Sequence, residues 1–183
     1  MGNIVVSENM TIDGAIHDPG WFDRLDGADR GAWAKVEFDE AQGSAALLLG
    51  RLTYEWFVER GWPSRTGEWA DRLRSLPKYV VSSTLRQLDW SNSTVLASDE
   101  IATLKGKVDG DIVVYGSGRL VRTLLAHDLV DELRLMICPF VLGAGERLFG
   151  ETCRVRPMRL VRSSTVGDGL ALLTYEPAGT AGP

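Results

Sequence analysis

Short apolar runs alternate with stretches of helical periodicity along most of this chain. Apolar runs at 4–6, 45–49, 79–81, 112–115, 133–137 and 170–175 predict strands, with weaker strands at 94–96 and 158–161. Between them, Ala34, Phe38 and Ala41 recur at helical spacing and predict a first helix over 29–42, with Gly43 as its stop. Further helices are predicted from near Arg51, over 67–76 ahead of Pro77, over 99–107 and over 118–127. Helices separate the early strands but not the late ones. That order predicts an α/β fold, a central mixed and mostly parallel sheet flanked by helices and ending in an antiparallel hairpin.

Two stretches break the pattern. Residues 10–28 read as a long loop with turn signals at Asp13-Gly14 and Pro19-Gly20, of the kind that often covers a binding site. Residues 177–183 read as a frayed Gly/Pro-rich tail behind a single domain over 1–176. A chain of 183 residues with 44% apolar content is large enough to bury a core of its own. The net charge of −5 argues against a nucleic-acid surface, which needs clustered Lys and Arg. No apolar run approaches membrane-spanning length, and the N-terminus enters a strand without a basic segment, so a soluble, cytoplasmic protein is expected. Cys138 and Cys153 form no CxxC pair and read as free thiols, and His17 and His127 sit in no metal-binding spacing, so no metal is expected.

Three strand ends carry chemistry suited to a phosphorylated ligand. Leu49-Gly50-Arg51-Leu52-Thr53 runs from a strand into a helix start, where free N–H groups and the helix dipole favour an anion and Arg51 adds donors. Val81-Ser82-Ser83-Thr84 ends a strand in hydroxyls, followed by Arg86. Tyr115-Gly116-Ser117-Gly118-Arg119-Leu120-Val121 passes from strand through a GxG turn into a helix, which permits close backbone approach to a pyrophosphate. Each alone also reads as ordinary strand-to-helix punctuation. The third glycine of a dinucleotide fingerprint is absent at Val121, which disfavours a conventional Rossmann domain.

Thr11-Ile12-Asp13-Gly14, 48–55, 78–83, Val114-Tyr115-Gly116-Ser117-Gly118 and 139–145, in this order, resemble the dihydrofolate-reductase-like superfamily. The resemblance is to the RibD C-terminal domain of bacterial riboflavin biosynthesis and its stand-alone relatives. It implies an NADPH-dependent reductase transferring hydride to a C=O or C=N of a pyrimidine- or pterin-like heterocycle, and usually a homodimer. It also implies that Gly50, Arg51 and Thr53 meet the cofactor phosphates and that Ser82 and Ser83 lie beside the adenosine phosphate. Gly116, Ser117, Gly118, Arg119 and Leu120 would underlie the pyrophosphate and adenine, while the Asp13 loop closes over nicotinamide. Folate reduction in this fold uses a carboxylate on the first helix. No motif fixes its equivalent, but Glu37 shares a helical stripe with Trp33 and Ala41 and is the acid expected to lean inward. Catalytic candidates are therefore Asp13 and Glu37, and the substrate-pocket candidates are Trp33, Phe38, Gly143 and Gly145. The HxE and PCxxC pattern of the zinc deaminase partner domain is absent. A module binding nucleotide or flavin without turnover, and a flavin- or deazaflavin-dependent reductase, remain the alternatives at this stage.

Overall fold

The computed structural model describes residues 1–17, 20, 22–149 and 155–179. Cys153, Trp21, Pro19 and the last four residues of the tail lie outside them. Eight strands form one sheet in the order β5-β4-β3-β6-β1-β7-β10-β9. These are β1 (Asn3–Thr11), β3 (Ser44–Gly50), β4 (Lys78–Val81), β5 (Ser93–Leu96), β6 (Asp111–Tyr115), β7 (Glu132–Cys138), β9 (Met158–Val166) and β10 (Leu170–Pro177). The six from β5 through β7 run parallel, and β7, β10 and β9 pair antiparallel, giving the mixed sheet with a terminal hairpin that the alternation predicts. Helices α1 (Gly27–Gly43), α2 (Arg51–Glu59), α3 (Glu68–Ser75), α4 (Ile101–Lys107) and α5 (Gly118–Ala126) fall between the strands. No helix among the described residues is long and apolar enough to cross a membrane.

Strand periodicity divides the core in two. Ile4, Val6, Leu48, Ile112, Val114, Leu133 and Leu135 pack with Ile101, Leu104, Val121 and Leu124 of α4 and α5. Val5, Leu47, Leu49, Val80, Val113 and Tyr115 face the other way, against Ala41 of α1, Tyr54 and Phe57 of α2 and Leu73 of α3. Two ties fix the start of α1. Asp26 caps α1 by accepting from Asp29 N at 2.8 Å, and the Asp29 carboxylate in turn accepts from the N–H groups of Asp168 and Gly169 at 2.7 and 3.1 Å in the β9–β10 turn. Gly167 holds a left-handed φ of 60° there, and a side chain at that position would run into Asp29.

The structure departs from the sequence expectations in three places. First, β1 runs to Thr11, well past the predicted end at residue 6, because its second half carries polar Ser7, Glu8 and Asn9 and so loses the apolar signature of a buried strand. Second, the predicted loop over 10–28 contains the end of β1, strand β2 (Ala15–His17), a 3-10 turn at Phe22–Arg24 and the first residues of α1. Here β2 pairs antiparallel with β8 (Glu146–Arg147), elements too short to show a period. Third, the last part of the sheet is wider than the two strong predicted strands at 133–137 and 170–175: these are β7 and β10, and both are interior. The edge is β9, exposed along most of its length, so any pairing through this end of the sheet falls to that strand.

Lys78 is wholly buried on β4, and its ammonium donates to the carbonyls of Leu73 and Leu76 at 2.7 Å each and of Arg74 at 3.2 Å. It therefore caps the C-terminal end of α3, 4.7 Å from the Trp90 ring centroid. We expect Lys78→Met to lower the unfolding free energy by about 2–4 kcal/mol, since buried carbonyls lose a charged donor. Urea denaturation reads this directly, and an unchanged midpoint would show that the cap contributes nothing.

Candidate functional site

The parallel strands end on one edge of the sheet, and a cavity of about 920 Å³ opens there. Its volume is typical of small-molecule sites, which span roughly 300–1,000 Å³. All ten residues expected at a cofactor line it: Gly50, Arg51, Thr53, Ser82, Ser83, Gly116, Ser117, Gly118, Arg119 and Leu120. Helices α2 and α5 both begin at this wall, and neither N-terminus has a side-chain cap. Their first N–H groups are thus placed to receive an anion.

One hydroxyl organises this half of the cavity. Ser117 Oγ accepts from Gly50 N at 2.9 Å and donates within a network that reaches Thr53 Oγ1 at 2.9 Å and the Tyr115 carbonyl at 3.0 Å. The β3–α2 and β6–α5 turns are thereby bound to each other. Gly116 and Ser117 both take left-handed φ, 54° and 65°, and this is what turns the chain abruptly from β6 into α5. A Cβ at Gly118 would force the tip of the Ile16 side chain to shift. Arg51 is held by Glu55, with Nη1 at 2.8–2.9 Å from both carboxylate oxygens, and the rest of its fork of donors remains beside the cavity. Ser82 Oγ accepts from Thr84 N and Leu85 N at 3.2 and 2.9 Å, and Arg86 donates to the Ser83 carbonyl at 3.1 Å.

The other half opens where the sheet splits. Pairing of β1 with β6 ends at Ser7–Tyr115, whereas pairing with β7 continues to Thr11–Cys138. Beyond Ser7, β1 therefore borders the cavity instead of a neighbouring strand, and Glu8 and Asn9 lie at the split. The Trp33 indole N–H donates to Asn9 Oδ1 at 3.0 Å, which turns the Asn9 amide nitrogen toward Glu37 Oε1 at 3.3 Å. Glu37 is 6% exposed and lines the cavity from α1. One turn on, Glu40 pairs with Arg134 Nη1 of β7 at 2.9 Å, and Arg134 also reaches Asp111 at 3.3 Å and Glu132. Trp33, Trp69, Trp62, Phe57 and Trp56 form a chain of edge-to-face contacts with centroids 5.1–5.7 Å apart, and all five line the cavity.

Burial favours the proton form of the acids in this half. Burial, reinforced by the Glu40 charge, pushes the Glu37 carboxyl up to about 8. Burial and then the Glu37 charge push Glu8 well above the ordinary range. Glu40 is raised by its own burial, against which Arg134 acts. The Tyr115 phenol is raised by burial and by Glu40 and Glu37. At neutral pH this half can offer a proton from Glu37, whereas the α2 and α5 half can hold phosphate.

Of the remaining expected residues, Asp13, Phe38, Gly143 and Gly145 do not line the cavity. The Asp13 carboxylate accepts from the Thr11 hydroxyl at 2.7 Å and from the N–H groups of Leu142 and Gly143 at 3.2 and 2.9 Å, contacts that hold it down at about 2. It ties the end of β1 to the 139–145 loop. Gly143 and Gly145 are exposed turn residues with positive φ, and Phe38 is partly buried. Sequence reasoning missed Ser7, Glu8, Asn9 and Arg134, and it assigned no site role to Tyr115 of the glycine-turn motif or to Glu40, an acid it noted near Glu37 on the first helix. The one available signal was the run of three polar residues directly after Ile4-Val5-Val6. Among the described residues no group of His, Cys, Asp and Glu side chains could hold a metal ion.

Comparison with known proteins adds three likenesses and one family match. The sequence fits the family model described as the RibD C-terminal domain over residues 3–172. Uncharacterized protein YyaP of Bacillus subtilis (strain 168) is 28% identical over 181 residues, spanning 96% of this chain and 89% of its own. A putative riboflavin biosynthesis protein from Shewanella sp. PV-4 superposes with a TM-score of 0.68 at 21% identity, over 96% of this chain and 99% of that one. Dihydrofolate reductase from Enterococcus faecalis, solved in complex with NADP(H), gives a TM-score of 0.64 at 19% identity over 96% of each chain. At these identities the structural likenesses establish the dihydrofolate-reductase-like fold.

The raised acids have a consequence for stability. Native Glu37 keeps its proton between the ordinary value of 4.5 and about 8, where the unfolded chain has lost it. Stability therefore falls as pH rises through that window, by up to about 1.4 kcal/mol per pH unit for such a group. We expect Glu37→Gln to flatten the slope of unfolding free energy against pH. Urea titrations at a series of pH values check this, and equal slopes in wild type and variant would contradict it.

Proposed function

Because the chain belongs to the RibD C-terminal domain family, we propose that it is an NADPH-dependent reductase acting on a C=O or C=N bond of a small flat heterocycle, with Glu37 as proton donor. The observation that carries this reading is the joining, in one cavity, of two uncapped helix N-termini with a buried, protonated carboxyl. The first feature suits a pyrophosphate and the second suits protonation of a reduced heteroatom.

The residues present fit the dinucleotide. In this reading the N–H groups that open α2 and α5 hold its pyrophosphate, with Gly50, Gly116 and Gly118 allowing close backbone approach. Arg51, Ser82 and Ser83 take the adenosine phosphate, Arg51 with the donors that Glu55 leaves to it. When bound, the cofactor supplies the hydride. The aromatic chain from Trp33 to Trp56 gives a flat heterocycle an apolar wall and keeps water from the reacting face. Asn9 fixes the indole of Trp33 and the carboxyl of Glu37 in one network, so the ring wall and the proton donor are positioned together. Glu37 delivers its proton to the substrate heteroatom and recovers it from solvent afterwards. Asp13 acts at a distance, by anchoring the 139–145 loop against β1.

Titration of the protein with NADPH, followed by nicotinamide fluorescence, tests the reading: saturable enhancement is expected, and a yellow preparation indifferent to NADPH would overturn it in favour of a flavin. Arg51→Ala should weaken NADPH binding by about one to two powers of ten and leave NADH nearly unchanged, since only NADPH carries the 2′-phosphate. An equal loss for both cofactors would place Arg51 on the pyrophosphate. For the chemical step, Glu37→Gln should lower kcat by about 10²–10⁴-fold. Because the acid must be protonated, wild-type turnover should decline as pH rises through about 8. A variant as fast as wild type, with the same profile, would assign the proton to another group.

A further inference from the structure

Among the described residues, three non-glycine positions hold a left-handed φ: Asn92, Ser117 and Asp128. Asn and Asp are the residue types that tolerate this conformation best, and Ser does not share their tolerance. Ser117 is also the one of the three that lines the cavity. Strain that persists at a site points to a use for the side chain that bears it. Glycine would take the same φ of 65° without strain, as Gly116 beside it takes 54°. The hydroxyl is what glycine lacks.

All of that hydroxyl's bonding capacity is taken up within the protein. Oγ accepts from Gly50 N at 2.9 Å, and it lies 2.9 Å from Thr53 Oγ1 and 3.0 Å from the Tyr115 carbonyl. The carbonyl can only accept, so Ser117 gives it the one proton it has, and the Thr53 hydroxyl donates to Ser117. Two lone pairs and one proton are then occupied, which leaves nothing to hold a ligand directly. The bonds instead cross a gap in the sheet. The β3–β6 ladder ends at Leu47–Val113, several residues before α2 and α5 begin, and the hydroxyl joins the two segments again at Gly50 and Thr53. Its neighbours leave space for it: a Cβ at Gly50 would stand 3.3 Å from Ser117 Oγ, and one at Gly116 would stand 3.4 Å from Thr53 Oγ1.

We propose that Ser117 is a positioning residue whose hydroxyl locks the starts of α2 and α5 into one receptor for a diphosphate. The ligand class rests on the dinucleotide reading above. Each helix start offers N–H groups to an anion, but two starts that moved independently would have to be ordered when a diphosphate bridged them. With the joint in place, that ordering is complete before the ligand arrives. The fold bears the strain of Ser117, and the site needs no adjustment on binding.

Two variants separate the hydroxyl from the strain. Ser117→Ala removes the hydroxyl and keeps the strain, whereas Ser117→Gly removes both, so Ser117→Gly should have the higher thermal midpoint of the two. Calorimetry then compares three probes: NADPH, 2′-phospho-ADP-ribose, which lacks the nicotinamide, and 2′-AMP, which lacks the diphosphate. Both variants should bind NADPH and 2′-phospho-ADP-ribose about tenfold more weakly than wild type, by the same factor despite their different stabilities, with 2′-AMP nearly unchanged. The proposal is overturned if either variant binds the two diphosphate probes as tightly as wild type, if affinity follows the thermal midpoint, or if 2′-AMP loses as much as they do. The reductase reading fails on a different result. Wild type that binds 2′-phospho-ADP-ribose in a Ser117-dependent way, yet shows no nicotinamide fluorescence enhancement with NADPH, would keep the joint and remove the reductase. Wild type that binds neither diphosphate probe would overturn both.

Discussion

Three carboxyl groups, Glu8, Glu37 and Glu40, lie buried, and one guanidinium, that of Arg134, stands beside the last of them. Only Glu40 is paired with it, and Arg134 divides its donors among Glu40, Asp111 and Glu132. Charge cannot balance in such a cluster while all the acids are ionised, so burial resolves it by keeping protons in place. Glu40 beside Arg134 is the acid best placed to give up its proton, and its charge then holds Glu37 in the acid form. The chemistry ascribed to the cavity depends on this imbalance. If a second cation stood near Glu8 or Glu37, both would ionise and neither could donate a proton.

The sheet makes the imbalance possible. Parallel order brings the ends of β1, β3, β4 and β6 to one edge, and the early separation of β1 from β6 after Ser7 opens a gap among them. Helix starts at Arg51 and Gly118 fill one side of that gap with N–H groups, while α1 brings Trp33 and Glu37 to the other. The two halves are joined through Tyr115 and Ser117, two residues apart, one beside the acids and the other between the glycine turns. A dinucleotide and a small ring can thus occupy one cavity in contact, each held by its own kind of electrostatics.

The glycine turns were legible in the sequence because a strand becomes a helix at once there: Gly116 holds a left-handed φ, and Gly50 lies close against Ser117. Glu37 was legible because helical spacing places it on the stripe of Trp33 and Ala41, and α1 keeps that period from Gly27 to Gly43. Glu8 and Asn9 were not. A strand that borders a cavity carries polar residues, so Ser7-Glu8-Asn9 read as the end of β1 when it is the part of β1 nearest the site. Arg134 and Glu40 were hidden for another reason, since an ion pair between residues 94 apart leaves no local pattern. Asp13 shows the converse. Its Asp-Gly turn signal was real, but the carboxylate is spent on the backbone of the 142–143 turn.

Proton occupancy of the two cavity acids decides what this half of the cavity can do. Carbon-13 NMR of protein labelled at the glutamate side-chain carboxyls follows each titration, with Glu8→Gln and Glu37→Gln identifying the two signals. The expected result is one resonance, lost in Glu37→Gln, with its midpoint near 8, and a second, lost in Glu8→Gln, still protonated well above the ordinary value of 4.5. Midpoints for both near that ordinary value would contradict the account, because the cavity would then hold two bare carboxylates and no acid.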